Sequence, residues 1–310
     1  MSKSKKASAA PVPPPANLAW KSLLQDKLVR RLAIVAAVLL ACGVVFSTAW
    51  QQWGRSITRT PAYLLDESKI EVTRQPPYIH ANVKNDTIRT GGLTELSLLD
   101  PKLTEKVQHA FALHTWVASV KSVTKFHPAR VVVEVEYRRP VAMIEITNAG
   151  ERGLLPVDAY GVLLPPEDFS ANQVRNYLRV SAGVTQPQGP VGTPWGDDRI
   201  TAAAAIANAM LDHWQKLGLY RIELATAKEG EIPTAPVFDL ATRDGARVIW
   251  GHAPGHEASG EATCGEKITQ LLAFYEKQGP ITAASEQREL NVRDGLPPAV
   301  KATPAAFQKP

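Results

Sequence analysis

Hydrophobic residues are distributed along this chain in two different ways. From Leu32 to Trp50 the sequence LAIVAAVLLACGVVFSTAW runs for nineteen residues without a charge. Beyond residue 64, apolar positions recur instead with the periods of strands and helices. The first pattern predicts a helix that is apolar on every face. At 1.5 Å per residue it spans about 28 Å, close to the ~30 Å hydrocarbon core of a bilayer. Such a helix satisfies its own backbone hydrogen bonds, as the bilayer demands. Arg30 and Arg31 border one end, and Trp50 and Trp53 at the other match the aromatic belt of a membrane interface. Residues 32–53 therefore read as a single transmembrane helix. The positive-inside rule keeps residues 1–31 in the cytoplasm and exports the C-terminal bulk.

Three other readings of the apolar run are weaker. A cleaved signal peptide has a short leader and a small-residue cleavage site, whereas roughly thirty residues precede this run and no such site follows it. Leu39-Leu40-Ala41-Cys42 resembles a lipoprotein box, with Cys42 as the lipid acceptor, but the run stays apolar through Gly43-Val44-Val45-Phe46. A buried core helix is not expected to be apolar on all sides with charges at its border.

The second pattern predicts a mixed α+β body. Between residues 64 and 146 the order is strand, helix, helix, strand, strand. Ile70-Glu71-Val72 alternates; Asp100-Pro101 reads as an N-cap with proline at the first helical position, followed by Leu103, Val107, Ala110, Phe111 and His114 at helical spacing. Val117, Val120 and Val123 predict a strand, and Pro128 is expected to end its pairing. Val131, Val133, Val135 and Tyr137 fall on one face of the next strand, with Glu134, Glu136 and Arg138 on the other. A second unit, 147–300, opens with a hairpin whose turn is Asp158–Gly161. A helix is expected from Asp197 or Asp198 to Gly218, with Ile200, Ala204, Ala207, Leu211 and Trp214 inward. Strands follow at Tyr220–Ala225, Pro236–Ala241 and Arg247–Trp250. Thr263 and Glu266 form a capping box for a helix with Ile268, Leu271, Leu272 and Tyr275 inward and Gly279-Pro280 as its stop. A last strand is expected at Glu289–Arg293.

Charge narrows the function. The pI is near 9.1 and the formal charge +5, but residues 1–31 hold seven Lys or Arg against Asp26, which leaves −1 for residues 32–310. The basicity is a property of a Pro-rich tail that cannot bury enough apolar surface to fold, and the charge balance of the remainder does not supply the basic face that nucleic acid requires. Residues 301–310 read as a second disordered tail. Cys42 and Cys264 are too differently placed to pair.

Several segments together resemble the bacterial cell-division protein family FtsQ/DivIB. Trp116-Val117, Val120, Val123, Lys125, Pro128, Val131, Val133, Val135 and Pro140-Val141-Ala142 are similar to the family's PWV…P…V…E-x-x-P-V-A signature. Val157-Asp158-x-x-Gly161-Val162-Leu163 resembles its V-D-x-x-G hairpin. Gly245-Ala246-Arg247-Val248-Ile249-Trp250-Gly251 with Lys267-Ile268 and Leu271-Leu272 is a third likeness, and Leu290-Asn291-Val292-Arg293 is similar to its closing L-D-L-R. Thr115 stands where the family has proline, Tyr137 where it has glutamate, and Trp250 where it has a small aliphatic residue. The resemblance implies a POTRA domain at 64–146 and a β domain at 147–300. It also implies a non-catalytic divisome scaffold in the inner membrane, serving septation. The partners it implies are FtsB- and FtsL-like single-pass proteins, whose short C-terminal segments dock on the closing strand.

Candidate chemistry is sparse. Ser122-Val123-Thr124-Lys125 spells S-x-x-K, but in a strand pattern and without the partner motifs that chemistry needs. His252, His256, Glu257 and Cys264 could in principle ligate a metal, yet Pro254 and Gly255 set the histidines on a loop rather than on one helical face. His213 beside Trp214 reads as packing. No cofactor, metal, nucleic acid or small-molecule substrate is expected. Binding by backbone remains: Leu290, Asn291, Val292 and Arg293 form the candidate partner-binding edge, where strand addition uses unpaired N–H and C=O groups. Proline at Val292 is expected to remove that pairing. A POTRA-bearing protein of secretion or envelope assembly is the alternative function, and a tethered hydrolase using Ser122 or His252 is a third.

Overall fold

The computed structural model describes residues 27–58, 63–94, 96–148, 150–225, 235–283 and 289–294. Most of the basic tail, the closing tail and the side chain of Trp53 lie outside these residues. The described residues fall into two units.

The first unit is dominated by helix α1, Lys27–Thr58. Within it Val29–Gln51 has a mean hydropathy of 2.5, is long and apolar enough to cross a membrane, and buries nothing. Leu39, Leu40, Val45 and Phe46 all stand more than 65% exposed, so the apolar surface is continuous round the helix. The unit also contains a short bridge, Leu64 opposite Ser97, supported by Leu98 N–H donating to Tyr63 O at 2.8 Å.

The second unit is the α+β body. Its first sheet has strands β1 (Ile70–Val72), β2 (Val117–Phe126) and β3 (Arg130–Tyr137) in the order β1-β3-β2, β1 parallel and β2 antiparallel to β3. Helices α2 (Val83–Thr90) and α3 (Leu103–Ala112) pack on each other, and α3 on β2. The alternation read in β3 is present: Val131, Val133 and Val135 are buried, while Glu134 and Glu136 reach across to Ser122 and Ser119 at 2.9 and 3.0 Å. Ser122 thus sits mid-strand with its hydroxyl on a glutamate.

Two sequence expectations shift here. Helix α3 starts at Leu103 with Lys102 at the N-cap position, not at Asp100, whose own N–H is engaged by Ser97 O at 2.9 Å in a turn. His114 falls beyond the helix and accepts from Trp116 N–H through Nδ1 at 3.2 Å. Pro128 lies in the β2–β3 turn as expected, and pairing ends at Phe126 opposite Arg130 after register shifts between Val117 and Ser119 and between Val120 and Ser122.

The larger sheet has seven strands in the order β10-β9-β8-β7-β6-β4-β5. They are β4 (Pro140–Asn148), β5 (Glu151–Asp158), β6 (Leu178–Ser181), β7 (Leu219–Leu224), β8 (Phe238–Thr242), β9 (Arg247–Gly251) and β10 (Glu289–Asn291). Pairs β4–β5, β7–β8 and β8–β9 are antiparallel; β4–β6, β6–β7 and β9–β10 are parallel. A short helix α4 (Ala171–Val174) follows β5, and α5 (Asp198–Ala209) and α6 (Cys264–Gln278) supply the longer helices of this part.

Alternation gives this sheet a dry face and a wet one. Ala142, Ile144, Val180, Ile222, Phe238, Leu240, Val248, Trp250, Leu290 and Val292 form one core with Ile200, Ala204 and Ala207 of α5 and Leu271 and Phe274 of α6. The opposite face carries a row of charges: Arg179, Glu145, Arg221 and Glu223, then Asp239, Arg247 and Glu289.

Helix α5 stops at Ala209, nine residues before Gly218. The chain continues in turns that still bury Met210, Trp214 and Leu217 while Leu211 is half-exposed. Helix α6 matches its signals: Thr263 and Glu266 close a reciprocal capping box, and Gly279 ends it at φ 82°. Its most buried positions are Lys267, Leu271 and Phe274, with Ile268, Leu272 and Tyr275 at the flank of the core.

Candidate partner-binding edge

Strand β10 occupies one end of the seven-stranded sheet. It lies parallel to β9 in the register Glu289–Arg247, Leu290–Val248 and Asn291–Ile249. Val292 N–H continues the ladder, donating to Ile249 O at 3.1 Å. Successive backbone groups alternate in direction along a strand. The N–H and C=O of Asn291 therefore turn away from β9, to the side where the described residues place no further strand.

The four candidate residues divide by role. Leu290 and Val292 are core residues, 4% and 0% exposed. Asn291 is half-buried and offers the outward backbone. Arg293 lies past the strand, which ends two residues earlier than the sequence suggests. The cause is a local turn: Asn291 Oδ1 accepts from Arg293 N–H at 2.9 Å and Asp294 N–H at 3.4 Å, and Arg293 O accepts from Ala262 N–H at 2.9 Å. Proline at Val292 thus breaks the bond to β9 and not the outer edge. The position whose N–H faces outward is Asn291.

What holds the end of β10 in place is a buried polar cluster. Glu261, with its side chain 2% exposed, accepts from Lys267 Nζ at 2.6 Å and from the backbone N–H groups of His252 and Ala258 at 2.7 and 3.2 Å. Its Oε2 also lies 2.6 Å from His252 Nδ1 and 3.7 Å from Arg293 Nε. Burial would raise the Glu261 carboxyl, but the hydrogen bonds from Lys267 and His252 overcome it and hold it at about 2. Lys267 is 0% exposed, and its ammonium stands 5.1 Å from the Trp250 ring centroid.

This cluster uses the histidine loop for structure. His252 is committed to Glu261, and Glu257 accepts from Gly255 N–H at 2.8 Å and Cys264 N–H at 3.1 Å. His256 is exposed, and Cys264 is a free, half-buried thiol whose titration burial pushes up. Among the described residues no three His, Cys, Asp or Glu side chains group as metal ligands. Glu261 was not a sequence candidate. The signal was Lys267 itself, a lysine on the Lys267-Leu271-Phe274 stripe that requires a buried acid.

Gly251 makes room for the cluster. It has φ 94°, and a Cβ there would collide with Glu261 Oε1 and stand 2.9 Å from Arg293 Cγ. Alanine at Gly251 is expected to cost at least about 1–3 kcal/mol from backbone strain. The urea midpoint checks this, and an unchanged value would show that the loop yields freely.

The chain matches no family model and no curated protein.

Proposed function

We propose that the chain is a membrane-anchored, non-catalytic scaffold of the bacterial cell-division machinery, of the FtsQ/DivIB kind. In this reading α1 crosses the inner membrane once, with the basic tail in the cytoplasm and the α+β body outside. The strand–helix–helix–strand–strand unit serves as its POTRA domain. FtsB- and FtsL-like single-pass proteins add a short segment to β10 as an eighth strand. The observation that carries the reading is the terminal position of β10 with the Asn291 backbone turned outward. The apolar helix and the motif likenesses noted above support it further.

Asn291→Pro removes the outward donor while leaving the ladder to β9 intact, since proline is tolerated on the open side of an edge strand. Asn291→Ala loses only the side-chain turn. Recovery of tagged membrane partners is expected to fall at least tenfold with Asn291→Pro and to persist with Asn291→Ala. Equal recovery from both variants would refute strand addition at β10. Depletion of the chain is expected to block septation; a defect confined to outer-membrane insertion would favour the envelope-assembly alternative.

A further inference from the structure

The wet face of the large sheet holds a second recognition feature, far along the strand order from β10. An open cleft of about 730 Å³ is lined by β4, β5, α4, β6, β7 and the chain after β6. That volume lies in the range of ligand sites and far exceeds a single phosphate group. Four different elements each give it one arginine: Arg152 from β5, Arg175 from the end of α4, Arg179 from β6 and Arg221 from β7.

Two of these arginines are held in place and two are not. Arg179 and Arg221 share Glu145, at 3.6 and 3.9 Å, and Arg221 reaches Glu223 at 3.0 Å. Both guanidiniums also lie over the Tyr220 ring, at 5.0 and 5.7 Å from its centroid, where Arg243 approaches to 4.9 Å. Arg221 Nε is nevertheless buried without a hydrogen-bond partner. Arg152 and Arg175 are exposed and pair with no carboxylate among the described residues. Glu145 is the one acid in a lining with four arginines. The lining also holds apolar side chains, Leu154, Val174 and Val184, the last 94% exposed.

We infer that this cleft binds a short acidic peptide segment, one with carboxylates spaced to meet Arg152, Arg175 and the Arg179–Arg221 pair and an aliphatic side chain between them. Charge complementarity selects an anion. The spread of the arginines over four elements, with apolar surface in the same lining, selects an extended chain over a compact phosphate. The bidentate fork of arginine suits carboxylates presented in this way. The site is separate from β10 and does not depend on strand addition there.

The test uses the full chain in phosphatidylcholine nanodiscs and a fluorescein-labelled hexapeptide, Glu-Leu-Glu-Glu-Leu-Glu, followed by anisotropy at low and physiological salt. Saturable binding is expected that weakens with salt. The Arg152→Glu/Arg175→Glu variant is expected to bind at least tenfold more weakly with an unchanged thermal midpoint. Arg89→Glu, at an exposed position of α2, should match the unaltered chain. The lysine counterpart peptide should not bind. The inference is overturned by no binding of the acidic peptide, by equal binding to the double variant, or by complete displacement with 10 mM inorganic phosphate. Preference for phosphatidylglycerol vesicles over the peptide would overturn it equally, marking a lipid-headgroup site instead.

Discussion

Replacing Glu261 with alanine is expected to destabilise the α+β body by about 3–5 kcal/mol, the cost of leaving a buried charge without its partner. Lys267 has no exposure to water and would keep the His252 carbonyl, 3.5 Å away, as its one hydrogen-bond partner among the described residues, beside the Trp250 ring. The urea midpoint of the full chain in detergent, read at constant slope, measures the loss. Glu261→Leu with Lys267→Met is expected to recover most of it, because the pair is replaced by apolar groups rather than broken. The pH dependence has a definite sign. The folded carboxyl is held at about 2, below its ordinary 4.5. Its ionised form therefore stabilises the fold fully above about 4.5, and that contribution fades as pH falls toward 2. The gap in thermal midpoint between the unaltered chain and Glu261→Gln should be widest at neutral pH and narrow steadily below pH 4.5. A gap independent of pH would show that Glu261 acts by packing alone. Because Arg293 O and Ala262 N–H join the same loop to the end of β10, losing Glu261 should also hasten amide exchange at Val292.

What the sequence reveals is what short-range chemistry determines. The valine alternation of β3, the capping box at Thr263 and Glu266 and the glycine stop at Gly279 each depend on neighbours within a few residues, and each is present. Asp100-Pro101 shows the limit of such signals, since a good N-cap pair was drawn instead into a turn with Ser97. The expected run of α5 to Gly218 erred in the same way: Met210, Trp214 and Leu217 are apolar and buried, but in turns rather than a helix. Long-range order is less visible. Nothing local marks β10 as parallel to β9 or as the last strand of the sheet, because that follows from the path of the chain through α6. The arginine cleft draws on residues 152, 175, 179 and 221, whose nearness exists only once β5, β4, β6 and β7 are laid side by side. Within the candidate edge the four residues differ in kind: Leu290 and Val292 belong to the core, and Asn291 carries the open backbone.

The second large effect is expected at Asp158, whose side chain is 4% exposed. Its Oδ1 accepts from Tyr160 N–H and Val162 N–H, both at 2.9 Å, and its Oδ2 accepts from Arg138 Nη1 at 2.7 Å. The first pair of bonds shapes the turn that Gly161 completes at φ 70°, which is the physical content of the V-D-x-x-G pattern. The third joins that turn to Arg138, the residue after β3, and so ties the small sheet to the large one. Arg138 is only 16% exposed and its Nε has no partner of its own. Asp158→Ala strands two amides and a largely buried guanidinium, and is expected to cost about 3–5 kcal/mol. Asp158→Asn keeps an oxygen for the two amides and loses only the charge-assisted bond, so about 1.5–3 kcal/mol is expected. Arg138→Met, which removes the cation together with its desolvation, should fall below Asp158→Ala. Denaturant unfolding of the three variants orders them. Equal losses for Asp158→Ala and Asp158→Asn would mean that the turn amides contribute nothing and that the ion pair alone fastens the two sheets.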